Sequence, residues 1–162
     1  MNAVVRTDKM FATDNRAGLV SVRYQPSNTM TAIDNGNVVK IDALEEGSRE
    51  IYKGITPAAN DKITDIVLIA SPEVMYDEHK HNLDEFKNEA GAIARGYRLH
   101  TGDIFGVTKE ALSGTPAVGK TVELADDTKL KVSATSATGT VVGTIIGEDV
   151  VGRYTYYVIQ VA

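Results

Sequence analysis

The sequence predicts a mainly β protein, a compact barrel- or sandwich-like domain with one short helix and an extended N-terminal arm. Three observations carry this expectation. Val, Ile, Thr and Tyr dominate the second half of the chain, and these side chains fit a pleated, half-buried surface. Short apolar runs recur along the chain, each closed by Gly, Asn, Asp or Pro. Apolar residues at helical spacing occur over one short stretch only.

The totals set the frame. A chain of 162 residues suits one domain, which could bury roughly 70% of the surface of its unfolded form. Lys and Arg number 17 against 22 Asp and Glu, a net charge of −5. This balance argues against gripping nucleic acid through its phosphates, a task that usually calls for a basic face. Cysteine is absent, which excludes disulfides, thiolate metal sites and cysteine nucleophiles and leaves stability to packing or partners. The opening "MNAVVRTDKMFATDNRAG" lacks the apolar core of a secretory signal. No run approaches the roughly 20 apolar residues of a membrane-spanning helix, so a soluble protein is expected, with no membrane partner.

Residues 1–29 are polar with no sustained period and read as an arm, apart from "GLVSVRYQP", which suits a short strand closed by Pro26. A single β-rich domain is expected over 30–162. In "MTAIDNGNVVKI" two apolar runs flank Asn35-Gly36, a strong hairpin signal. "LEEGSREIYKGITP" repeats the idea with Gly47 at the turn and Pro57 at the close. "IVLIA", Ile66 to Ala70, suits the buried core of a strand running from Thr64 and stopped by Ser71-Pro72. "HNLDEFKNEAGAIARG" places Leu83, Phe86, Ala90 and Ile93 at spacings of three and four, with Asn82 as N-cap and Glu85 three residues on. Gly91 costs this helix about 1 kcal/mol relative to Ala, so the alternative is an ordered loop packing the same side chains. "YRLHTGDIFGVT" reads as strand, turn, strand, and "KTVELADDTKLKVSA" as a hairpin around Asp126-Asp127. "GTVVGTIIGEDVVGRYTYYVIQVA" reads as strands broken at Gly143, Gly147 and Gly152, the last one, Tyr154 to Val161, apolar on both faces like a covered strand.

Several motifs invite chemistry. "GTPAVGKT", Gly114 to Thr121, matches the written pattern of a phosphate-cradling loop. That loop requires a buried strand before it and a helix beginning at the lysine, so that the helix N-terminus faces the anion. Here Val122, Leu124, Leu130 and Val132 continue with period two around a turn, and Pro116 removes a backbone donor. The match reads as a turn at Gly119 feeding a hairpin. "YDEHKH" gathers His79 and His81 with Asp77 and Glu78, a possible metal set, but Pro72 and the acidic run describe a solvated connector. His100, and Asp34, Asp103, Asp126 and Asp127, sit at turns where turn formation accounts for them. Glycines four apart in "GTVVGTIIG" lie among β-branched residues and suggest bulges or close backbone approach. No catalytic residue, metal ligand or cofactor is assigned, and the protein is not expected to be an enzyme.

Two stretches, "AIDNGNVVKIDALEEGSREIYKGITP" and "DIVLIASPEVMYDEHKHNLDEFKNEAGAIARGYRLHTGDIFGVT", resemble small head structural proteins of tailed bacteriophages, of the capsid auxiliary or decoration kind. The likeness covers roughly residues 30 to 160 and is most specific in "ASPEVMYDE", "NLDEF" and "ARGYRLHTGDIF". The resemblance implies a rigid β core that binds the outside of a phage head and stabilises contacts between major capsid subunits. It implies a virion protein, soluble in the host cytoplasm before assembly, with the major capsid protein and further copies of itself (a trimer or dimer) as partners. Contacts are expected on the arm, at Lys9, Met10, Phe11 and Arg16, and on exposed turns. Alternatives are another head or tail component, such as a connector or tail protein, and a nucleotide-dependent activity centred on Gly119, Lys120 and Thr121.

Overall fold

The computed structural model describes residues 2–6, 18–133 and 136–162. Strand β1 (Val5–Arg6) belongs to a large sheet. Strands β2 (Leu19–Tyr24), β3 (Val38–Leu44), β4 (Ile51–Ile55), β5 (Ile66–Ile69) and β6 (Ala94–Arg98) form a barrel that closes in the order β2-β4-β3-β5-β6. The remaining strands are β7 (Ile104–Thr108), β8 (Leu112–Ser113), β9 (Thr121–Ala125), β10 (Asp127–Val132), β11 (Val141–Val151) and β12 (Tyr154–Val161). They complete a seven-stranded sheet in the order β1-β7-β12-β11-β9-β10-β8. Pairing is antiparallel except for β2 with β4 and β10 with β8. No helix among the described residues is long and apolar enough to cross a membrane.

Alternation along β3 and β5 explains how the two layers join. Val39, Val67 and Ile69 point into the barrel with Val22, Ile33 and Ala94. Val38, Ile66 and Leu68 point the other way, into a second core with Phe105, Val107, Leu124, Ile145 and Ile159 of the large sheet. All four residues of β5 are therefore fully buried, each stabilising the fold by about 1.5–3 kcal/mol. The expected burial of "IVLI" is thus met, with the strand itself shorter than Thr64 to Ala70 because Ile63–Asp65 forms a 3-10 turn. A five-stranded barrel is narrow, and its lumen is filled by valines that pack directly onto Gly54. A Cβ there would lie 2.6 Å from Val22 Cγ1.

The β4–β5 connection stitches the layers from outside. The Ala59 N–H donates to Asp126 Oδ1 at 2.9 Å, and the Ala59 carbonyl accepts from Thr140 N at 2.7 Å. Asp126 therefore does more than form its own turn. At the centre of the β9–β10 hairpin, fully buried Glu123 accepts the Gly139 N–H at 2.8 Å, the Thr138 N–H, and Lys131 Nζ at 2.8 Å.

Hairpins β3–β4, β9–β10 and β11–β12 form where the turn signals place them. Other expectations need correction. Gly36 adopts the left-handed turn conformation, φ +85°, but no hairpin follows. Ile33 bridges to Asn88 instead, and Val38–Lys40 pairs with β5, because barrel closure requires β5 between β3 and β6. The helix is reduced to one 3-10 turn, Leu83–Glu85. Its start is capped as expected, with the Glu85 carboxylate accepting the N–H groups of His81 and Asn82 at 2.8 and 2.9 Å. It ends at once because Phe86 is extended, Asn88 is held in the bridge to Ile33, and Gly91 sits at φ +81°. The strands around "YRLHTGDIFGVT" exist, but β6 lies in the barrel and β7 in the sheet, so the turn is a crossing between layers.

The boundary drawn at residue 29 has no counterpart in strand pairing. Ala3, Val4 and Val5 are buried, Val4 exchanges hydrogen bonds with Thr108, and Leu19–Tyr24 is a wall of the barrel. The expected contact residues Lys9, Met10, Phe11 and Arg16 lie outside the described residues. Strand β11 runs through Gly143 and Gly147 unbroken. The register instead shifts beside each, so these are bulge positions, and only Gly152 ends the strand.

Two outcomes follow from this packing. A Cβ at Gly143 would lie 2.1 Å from the Gln160 carbonyl oxygen, whereas one at Gly147 meets nothing within 4 Å. Gly143→Ala should therefore cost about 2–3 kcal/mol in urea denaturation and Gly147→Ala less than about 1 kcal/mol. The second outcome concerns acid. Burial alone would push the Glu123 carboxyl up, but the Gly139 N–H, Lys131 and the Thr138 N–H outweigh it and hold the pKa at about 2, below the ordinary 4.5. A carboxyl depressed in the folded state contributes stability that is fully present above its unfolded value and is lost as pH falls toward the folded one. Urea midpoints should thus fall between about pH 4.5 and 2. Glu123→Gln should flatten that segment while costing about 2–3 kcal/mol at neutral pH.

Candidate partner-binding groove

Strand β5 stops at Ser71-Pro72, and the chain then takes more than twenty residues to reach β6. This connection arches over the barrel wall and encloses a groove of about 720 Å³. Its walls are Pro72, Val74 and Tyr76 on one side, Phe86 to Glu89 and Ala92 to Ile93 on the other, and Leu19 to Ser21 of β2 with Ala94 and Arg95 of β6 along the base. Tyr76 is 94% exposed and Val74 57%, with Leu19 and Ile93 also exposed. These are large apolar groups on one patch, the pattern of a surface that meets a partner. Lys87 and Glu89 pair at 3.5 Å on its rim.

A buried polar knot fixes the connection at both ends. The Asn35 carboxamide donates to the Ser71 carbonyl at 2.8 Å and to Glu73 Oε1 at 3.2 Å. Its oxygen accepts from Ser71 N at 3.0 Å and from Asn88 Nδ2 at 3.1 Å. Asn88 also donates to the Ile33 carbonyl, and Ser71 Oγ accepts the Arg95 N–H. Asn35, Ser71 and Asn88 are all buried. One side chain thus satisfies the Ser71 backbone where β5 ends and holds the Asn88 side chain where the connection returns, a closed network in a low-dielectric site.

A clasp ties the outer part of the connection to the large sheet. The Asp84 carboxylate accepts from Tyr154 Oη at 2.7 Å and pairs with Arg153. The Tyr154 hydroxyl, then Arg153, hold its pKa below the ordinary value against the cost of burial. Arg153 lies 5.0 Å over the Tyr154 ring, Tyr154 packs on Tyr156 with centroids 6.1 Å apart, and Arg6 lies 5.5 Å over Tyr156. The Asn2 N–H donates to the Asp84 carbonyl at 3.2 Å, so the N-terminal strand joins the same assembly.

The other sequence candidates fall elsewhere. At Gly114 to Thr121 a turn with Gly119 at φ +87° leads straight into β9, and Lys120 Nζ donates to the Thr115 carbonyl at 2.8 Å. No helix N-terminus faces an anion there. His79 and His81 lie on the exposed connection, and His100 caps the β6–β7 turn, its N–H donating to Asp103 Oδ2 at 2.8 Å. Among the described residues no three His, Cys, Asp or Glu are grouped to hold a metal ion. Asp34 accepts the Ala3 N–H and Asp127 that of Thr128. Sequence reasoning missed Asn88 and Asp84 altogether. It took Asn35 only as a turn residue, since their partners lie 36 to 70 positions away.

No protein-family model, no curated protein and no solved structure matches this chain.

Asn35→Ala should leave Ser71 and Asn88 unpartnered and cost about 2–4 kcal/mol in urea denaturation. Asp84→Ala should cost only about 1 kcal/mol, since Arg153 is half exposed. It should nevertheless speed hydrogen exchange at residues 82–86, with the barrel strands unchanged.

Proposed function

We propose that the protein is a virion structural protein that binds the outer surface of a phage head and stabilises contacts between major capsid subunits. One observation supports this reading. The stretches most specific to the resemblance are separated in sequence yet each contributes to one groove: Ser71, Pro72, Val74 and Tyr76 from the first, Phe86 from the second, and Ala94 and Arg95 from the third. The exposed Val74, Tyr76 and Ile93 give that groove its apolar groups, and Lys87 and Glu89 give it a charged rim, with Arg95 on its base. Apolar anchors inside a polar rim are how protein interfaces concentrate binding energy.

The fold suits such a role mechanically. A strand buried on both faces joins barrel and sheet, so load applied at the groove passes into both cores. Weak contacts repeated over a shell gain strength through avidity, so no single contact need be tight. On this reading the partner is the major capsid protein, and copies of this chain associate as a trimer or dimer. Lys9, Met10, Phe11 and Arg16 supply further contacts, and the protein is soluble in the host cytoplasm until the head is built. No cofactor or catalytic step is required.

Purified protein mixed with undecorated heads of the parent phage should co-sediment, and electron microscopy should find copies spread over the shell. Val74→Asp with Ile93→Asp should reduce occupancy about tenfold or more without changing the urea midpoint by more than about 1 kcal/mol. Absence of bound copies on intact heads would overturn the proposal. A ring of copies at one vertex would replace it with a connector or tail role.

A further inference from the structure

The large sheet ends in a hairpin whose outer edge has no paired strand among the described residues. Among the described residues Ile145 is the last of β11 with partners on the β9 side: its N–H donates to the Lys120 carbonyl at 2.9 Å and its carbonyl accepts from Gly119 N at 2.8 Å. The pairing of β11 with β9 ends at Thr144. From there Gly147 to Val151 pair with Val158 to Tyr154 of β12 alone, among the described residues.

Antiparallel geometry says which groups face outward. In a hairpin closed by two residues, here Gly152 and Arg153, the flanking pair Val151 and Tyr154 is hydrogen-bonded, and bonded pairs recur at every second residue. Asp149 and Gly147 thus turn their backbone groups toward β12, while Glu148 and Val150 turn theirs away from it. Apolar side chains along this edge are open: Val150 is 73% exposed, and Ile146 and Val151 are exposed on the same strand. A long apolar edge normally invites association, and proteins guard it with charge. Here the charges are Glu148 and Asp149, and neither meets a cation among the described residues.

Those two carboxylates select the occupant. Two copies pairing antiparallel through this edge would bring Glu148 and Asp149 against each other or their own counterparts, and like charges directly opposed are destabilising. Glu148 and Asp149 are consecutive and so face opposite sides of the sheet. An extended segment with two consecutive basic residues between apolar ones would offer one cation to each side, meet both carboxylates and bury the valines. The edge is held ready, since Asp84 fixes Arg153 and Tyr154 at the base of the turn.

We propose that the Ile146–Val151 edge of β11 receives an extended, basic segment of a partner protein, which adds a strand to the seven-stranded sheet. This stands on the edge alone and does not depend on the role assigned to the groove.

The probe is a seven-residue capped peptide, Thr-Val-Lys-Arg-Val-Val-Thr, whose adjacent Lys and Arg face opposite sides of the added strand, titrated into the full chain labelled for amide NMR. Shifts should concentrate at residues 146–151. Exchanging the peptide's Lys and Arg for Glu should weaken binding about tenfold or more, as should Glu148→Lys with Asp149→Lys. Val150→Pro removes an outward donor that the hairpin ladder does not use, and it should abolish the shifts. Should that variant fail to fold, the same peptide N-methylated at alternate residues tests the same hydrogen bonds and should not bind. The proposal is overturned by shifts confined to the groove, by equal binding of the acidic or N-methylated peptide, or by no shift at about 1 mM peptide. Dimerisation through this edge would likewise replace it with self-association.

Discussion

Strand β5 has no solvent face, and most of the architecture depends on that. Four consecutive apolar side chains serve two cores in alternation, Val67 and Ile69 inside the barrel, Ile66 and Leu68 against the large sheet. A strand of this kind cannot lie at an edge, because both its faces and both its hydrogen-bonding sides must be covered. β3 and β6 cover the sides. The large sheet covers one face, and the closed barrel covers the other. Without the sheet, Val38, Ile66 and Leu68 would form an apolar strip on the barrel wall, so neither layer is complete alone.

The groove is a consequence of how β5 ends. Ser71-Pro72 stops the strand while its neighbour β6 lies far ahead in the chain, and the intervening residues must travel around the barrel. A long connection would leave backbone groups unsatisfied where it leaves and rejoins the barrel. The Asn35 carboxamide satisfies the Ser71 backbone and also holds the Glu73 and Asn88 side chains, while the Asn88 backbone pairs with Ile33. The knot anchors the connection's two ends and leaves its middle free to present Val74 and Tyr76 outward. Between those anchors, in the outer part of the connection, Asp84 joins it to the β11–β12 turn. The groove and the open sheet edge are therefore mechanically linked through one carboxylate.

Glycine shapes the sheet by absence rather than by flexibility. At Gly143 the β12 backbone approaches so closely that any side chain would collide with it. The bulges beside Gly143 and Gly147 add to the twist of β11 and let its outer half run on past β9. An uninterrupted strand of eleven residues thus serves as a core strand over its first half and as an edge over its second.

Local chemistry was legible in the sequence wherever the partner was near. The β class, the Gly47, Asp126-Asp127 and Gly152 turns, the cap at Asn82 and Glu85, and the strand after Lys120 all depend on neighbours a few residues apart. The apolar period of two after Lys120 was enough to exclude a phosphate-binding helix there. Tertiary structure alone decided which strands pair. Asn35-Gly36 makes its turn but no hairpin, since closing the barrel rewards pairing Val38 with Leu68 over pairing the local runs. The helical spacing of Leu83, Phe86, Ala90 and Ile93 gave way because Asn88 is held by Ile33, 55 residues earlier. Local propensity amounts to tenths of a kcal/mol per residue, and long-range burial to several per side chain. Where the two disagreed, as at residues 35 and 88, burial prevailed.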